Sequence, residues 1–143
     1  MKNLLLIAVL FLSFGFIQAD KNIKIDNVWI RTASTGMNTG LFVTIKNTGD
    51  IDEELLGAAC NFAEVVEVHE TFKKADDMMG MREVNSLKIK AKSTLELKPR
   101  SYHIMLIKLT EDLKTGDKKD ITFKFKNAGE IKVKAEVKEM LKK

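Results

Sequence analysis

Ile121-Thr122-Phe123-Lys124-Phe125-Lys126-Asn127-Ala128-Gly129-Glu130-Ile131-Lys132-Val133-Lys134-Ala135-Glu136-Val137 is the stretch that decides the fold. Ile121, Phe123 and Phe125 alternate with polar residues, and Ile131, Val133, Ala135 and Val137 repeat the alternation after Asn127-Ala128-Gly129. Successive side chains of a strand point to opposite faces, so this period of two reads as a pair of half-buried strands joined by a turn.

The pattern continues upstream. Ile23-Lys24-Ile25 leads into Val28-Trp29-Ile30, and Gly40 to Lys46 lies between Asn-Thr-Gly turn signals at 38–40 and 47–49. Ala63 to Glu70, Leu87 to Lys90 and Thr94 to Leu97 read as further strands, and Pro99 breaks the chain before a strand carrying His103. Asp52 to Ala63 stays open between strand and helix, because Leu55, Leu56, Ala59 and Phe62 also fit helical spacing. A polar, methionine-rich connection lies between Glu70 and Leu87, and Lys138 to Lys143 reads as a frayed tail. Frequent turns and no convincing long helix predict an all-β, antiparallel, single-domain sandwich with no repeat or linker.

Lys2, about fourteen apolar residues from Leu4 to Ile17, and Ala19 before Asp20 describe a secretory signal peptide. The run is short for a membrane span, which takes about 20 residues. Cleavage after Ala19 assigns 1–19 to the signal and 20–143 to the domain. It implies an exported, periplasmic protein with no stable membrane anchor after cleavage. No cysteine closely follows the apolar run, so a lipid anchor is not indicated. The 143 residues hold one cysteine, Cys60, which has no internal disulfide partner and reads as a small buried hydrophobe beside Ala58 and Ala59. Without Lys2 the balance is 23 Lys+Arg against 20 Asp+Glu, spread along the chain. Nucleic-acid binding asks for a concentrated basic stripe with stacking aromatics, which is absent.

Chemistry concentrates in Tyr102-His103-Ile104-Met105-Leu106. On a strand His103 and Met105 share a face, about 7 Å apart at Cβ. The only other histidine, His69, ends Val65-Val66-Glu67-Val68, and Met78-Met79-Gly80-Met81 lies between the two histidines. Singly, each has an ordinary reading as core filler or surface residue. Together, imidazole and thioether select Cu(I), whereas zinc favours cysteine, histidine and carboxylate, and calcium or magnesium wants oxygen. A blue-copper centre would need Cys60 in the same loop as a later histidine and methionine, which the order of the chain opposes. A nucleophile pair of Cys60 with a histidine lacks an orienting third group, so no enzyme is expected. A metal-free binding module is the principal alternative.

With these residues assembled, the chain resembles the periplasmic copper chaperones of the PCuAC type, which serve assembly of the Cu(A) centre of cytochrome c oxidase. The likeness rests on Leu41-Phe42-Val43-Thr44-Ile45-Lys46-Asn47-Thr48-Gly49, Val66-Glu67-Val68-His69-Glu70, Met81-Arg82, Lys98-Pro99, Tyr102-His103-Ile104-Met105-Leu106 and Leu113-Lys114-Thr115-Gly116-Asp117. The family spaces histidine, methionine and His-x-Met by ten and then twenty-one residues. Here the intervals are 11 and 21, so the resemblance implies His69, Met81, His103 and Met105 as the metal ligands, with Met79 as the substitute for Met81. Arg100-Ser101 stands where glycines are common in the family. The resemblance also implies a cupredoxin-like Greek-key β-sandwich, Cu(I) as cargo, and hand-over to a cytochrome c oxidase subunit or another copper chaperone. Glu67 or Glu70 is expected to hold the far nitrogen of His69. Glu139-Met140-Leu141-Lys142-Lys143 is not the histidine- and methionine-rich tail of some members, so no second site is expected, and the protein is expected to be a monomer.

Overall fold

The structure is a computed structural model that describes residues 22–140; the signal segment read at 1–19 lies outside them. Among the described residues ten strands follow one another: β1 (Ile23–Arg31), β2 (Thr39–Asn47), β3 (Glu53–Ala59), β4 (Ala63–Lys73), β5 (Met79–Glu83), β6 (Leu87–Ile89), β7 (Ser93–Leu97), β8 (Tyr102–Leu109), β9 (Lys118–Phe125) and β10 (Gly129–Lys138). They pair in the order β5-β4-β8-β2-β1-β10-β9-β3-β6, with β7 on β2. Non-sequential neighbours such as β4 beside β8 and β3 beside β9 are the crossovers of a Greek key. Only β1 and β10 pair in parallel; the other pairs are antiparallel. The fold is a cupredoxin-like β-sandwich.

The alternation read at 121–137 builds one wall of the core. Ile121 and Phe123 are almost wholly buried, while Lys124 and Lys132 point to solvent. From the other wall come Leu41, Ile45, Ile104 and Leu106, all fully buried. The turn between β9 and β10 is held by Glu53, itself buried. Its carboxylate accepts the backbone N–H of Ala128 at 2.8 Å and of Asn127 at 2.9 Å. A buried carboxylate is tolerable only when hydrogen-bonded in this way.

One irregularity positions the functional face. Between Asp26 and Trp29 the β1–β2 register shifts, with Asn27 at a φ of 51°. A bulge of this kind reverses which side chains face the core. Before it, Ile23 and Ile25 point inward; after it Ile30 does, and Trp29 and Arg31 are sent to the outer face.

One reading left open is resolved, and two expectations are corrected. Asp52 to Ala63 holds no helix: Glu53–Ala59 is a strand between β6 and β9, with a register shift at Gly57 that blurred its alternation. The methionine-rich connection is itself a strand, β5, forming a hairpin with β4 around Asp77 at a φ of 64°. Its period was hidden because four of its five residues are exposed. What orders it is a stack on its back, where the Phe72 ring lies over Gly80 and the Arg82 guanidinium sits 4.8 Å from that ring. Finally, the tail does not begin at Lys138, which pairs with Arg31 as the last residue of β10.

Candidate metal centre

β4 and β8 run antiparallel with His69 directly opposite His103 and Glu67 opposite Met105. Directly opposed residues share a face, so these four side chains lie together. Their neighbours along the strands, Val68, Ile104 and Leu106, fill the core, which places the four on the outer side. Across β5, Thr71 opposes Met81 and Lys73 opposes Met79, putting both thioethers on that same side. Met81 stands one pair further from His69, and Met79 two.

The imidazole rings meet edge to face, with centroids 5.7 Å apart. Each ring has one nitrogen engaged. The His69 Nε2 lies 2.7 Å from Glu67 Oε2, and a carboxylate only accepts, so Nε2 carries the hydrogen. The lone pair of His69 is then on Nδ1, which is buried and has no hydrogen-bond partner among the described residues. His103 is the mirror case: its Nδ1 donates to the Ser101 carbonyl at 3.0 Å, leaving the lone pair on Nε2. Of the two acids expected beside His69, Glu67 takes the role; Glu70 instead pairs with Arg82. Burial pushes the His103 pKa down, partly opposed by the Ser101 carbonyl and aided by the nearby His69. The net shift favours the neutral ring, the form that binds metal.

His103, Met105 and Met81 line one cleft of about 210 Å³, together with Met140, Arg31 and Arg100. His69 is not among the lining residues; its ring stands against that of His103. The floor includes Phe42, whose ring lies 6.4 Å from His103 and 4.5 Å from Trp29. Gly40, opposite Met105 on β2, makes room for that ring: a Cβ at position 40 would stand 2.8 Å from Phe42 Cζ. Met140, assigned by sequence to a tail, brings a third thioether to the cleft. Neither its spacing nor its polar neighbours marked it. Met78 and Met79 are exposed and absent from the lining.

The donor set is selective. A buried, unpartnered imidazole nitrogen needs a hydrogen-bond donor or a cation. Zinc favours histidine, cysteine and carboxylate and hard cations favour oxygen, and no group of three such residues forms a metal site among the described residues. Two imidazoles and neighbouring thioethers match a soft monovalent ion. Cys60 lies elsewhere, lining a separate cleft with Lys119 and Lys134, and burial raises its thiol pKa.

Solved copper-protein domains share this cupredoxin-like sandwich. The copper-bound PCuAC domain from PmoF2 superposes with a TM-score of 0.70 over 83% of this chain and 94% of that domain, at 22% identity. The Cu(I) form of DR1885 from Deinococcus radiodurans gives a TM-score of 0.68 over 89% of this chain and 85% of its own, at 28% identity. The chain belongs to the LpqE-like family, described as "Putative lipoprotein LpqE-like", whose model matches residues 23–137. It is 33% identical over 122 residues to "Putative lipoprotein Lxx21020" of Leifsonia xyli subsp. xyli, covering 85% of this chain and 72% of that protein.

Proposed function

We propose that this protein is an exported Cu(I) carrier, holding one ion between His69, His103, Met105 and Met81. The observation that carries the reading is the facing histidine pair. Each ring has one nitrogen fixed as a donor, leaving lone pairs on His69 Nδ1 and His103 Nε2, and His103 lines a cleft with the Met81 and Met105 thioethers. The Cu(I) form of DR1885, a structural relative at 28% identity, supports copper as the cargo.

Hand-over proceeds by ligand exchange. Met81 is 60% exposed and is the donor an acceptor reaches first. The imidazoles, His103 buried and His69 largely so, are held by Ser101 and Glu67 and leave last. Bound Cu(I) supplies no chemistry to a substrate here; it is the cargo, and the protein is not an enzyme. The raised pKa of Cys60 and its place in another cleft weigh only against a Cys60–histidine nucleophile pair. Delivery to the Cu(A) site of cytochrome c oxidase, or to its assembly factors, is the destination that the PCuAC resemblance points to. The apolar run after Lys2 and the lipoprotein names in the family support export to the periplasm.

The test is a Cu(I) titration against a competing chelator, using the wild-type protein and the His103→Ala/Met105→Leu variant. One equivalent bound by the wild type and a loss of at least about a hundredfold in the variant are expected, since removing an imidazole removes a strong donor. No uptake by the wild type would leave a metal-free sandwich module.

A further inference from the structure

Arg31 and Arg100 flank the thioether cleft, and both are exposed. Neither meets a carboxylate among the described residues, unlike the other cations nearby. Arg82 holds Glu70, Lys98 holds Glu96, and Lys138 holds Glu136. Of the acids on this side, Glu67 is engaged by His69, and Glu83, opposite His69 on β5, is exposed at the far edge.

Two backbone irregularities put these guanidiniums where they are. The bulge at Asp26–Trp29 turns Arg31 outward. Arg100 is the third residue of a turn closed by the Ser101 N–H on the Lys98 carbonyl at 3.1 Å, with Pro99 second. Its φ is 67°, in the left-handed region that this turn position reserves for glycine or asparagine. An arginine there carries a backbone cost, and the same turn supplies the carbonyl that fixes the His103 ring. Positive charge beside a cation site does not help to hold the cation. It does attract an anion to the point where the ion leaves.

We propose that Arg31 and Arg100 form an anion-docking rim that receives the acidic surface of the protein exchanging copper with this chain. The proposal rests on the copper-carrier reading for the identity of the exchange, but not for the rim itself. Two planar guanidiniums with no carboxylate partner among the described residues match carboxylates in fork geometry. A docked acidic surface brings the acceptor's ligands to Met81 and Met105, and its charge offsets the cost of leaving two cations beside a third. The rim therefore acts mainly on encounter rate and choice of partner.

The experiment uses Cu(I)-loaded protein and two chelators, bicinchoninate with its two carboxylates and uncharged neocuproine. In Arg31→Gln/Arg100→Gln, transfer to bicinchoninate should slow by about fivefold to tenfold, as expected for loss of electrostatic steering. Transfer to neocuproine should stay within about twofold, and only the wild-type rate to bicinchoninate should fall strongly with salt. Equal slowing with both chelators, or none, overturns the proposal. A second arm needs no copper: hexaglutamate peptide is titrated into apo protein and followed by amide NMR. Shifts at Arg31, Arg100 and Met105 that vanish in the double variant support the rim. Shifts confined to the Lys118, Lys132 and Lys134 face overturn it. If the protein takes up no Cu(I) but the peptide shifts appear at the rim, the carrier reading fails and the docking site stands.

Discussion

Replacing Glu67 with glutamine probes how the fold prepares a histidine for metal. Glu67 Oε2 sits 2.7 Å from His69 Nε2, and the two side chains are 28% and 15% exposed. The carboxylate can only accept, which forces the hydrogen onto Nε2 and the lone pair onto Nδ1. A glutamine has nearly the same shape but can present its amide N–H instead, allowing the other tautomer and removing the carboxylate's charge. Loss of such a partner behind a metal ligand costs about tenfold to a hundredfold in affinity, or about 1.4–2.7 kcal/mol. Partial exposure on both sides places the expected value nearer the lower figure. The assay is Cu(I) competition at pH 7 on Glu67→Gln and wild type, with thermal unfolding of the apo proteins as the control. A partly exposed pair contributes under about 1 kcal/mol to folding, so the melting temperatures should nearly coincide. Unchanged affinity in a folded Glu67→Gln protein would refute the reasoning that tautomer control matters at this site.

Three further outcomes follow from the same geometry. Because the folded pKa of His103 lies below its ordinary 6.5, the native state binds fewer protons than the unfolded one as pH falls. Apo stability should therefore decline once pH drops below about 6.5 and level off below the folded pKa; His103→Gln should lack that decline in denaturant titrations across pH. Glu53→Ala strands the buried N–H of Ala128 and loosens the β9–β10 turn, a loss of about 2–3 kcal/mol by urea unfolding; a change below 0.5 kcal/mol, about the scatter of surface substitutions, would contradict the anchoring role. Arg100→Gly relieves the left-handed residue and should raise stability by about 0.5–1 kcal/mol after the added chain entropy is counted, read as a higher melting temperature.

Much of this molecule was legible from residues 121–137 alone, because those strands have one face in the core and one in water. The His103-x-Met105 spacing was equally transparent, since a strand makes residues two apart coplanar. Three features were not, each for a local reason. The parity of β1 reverses at Asn27, so nothing in the order Val28-Trp29-Ile30-Arg31 announced that Arg31 would reach the cleft. β5 has no buried face to impose a period, and its pairing is visible only through its partner strand. Met140 reaches the cleft because β10 runs to Lys138 beside Arg31, a long-range parallel pairing that sequence spacing does not report. The facing of His69 and His103 belongs to the same class. Their residue types hinted at copper, but only the β4–β8 register brings them opposite one another.

The central claim concerns which side chains close on the ion, and methionine-methyl NMR of ¹³C-labelled protein addresses it residue by residue. On adding Cu(I) under reducing conditions, the Met81 and Met105 methyl signals should shift and saturate at one equivalent, while Met37 and Met78 stay in place. Saturation with Met81 and Met105 unmoved, or shifts confined to Met78 and Met37, would contradict the account.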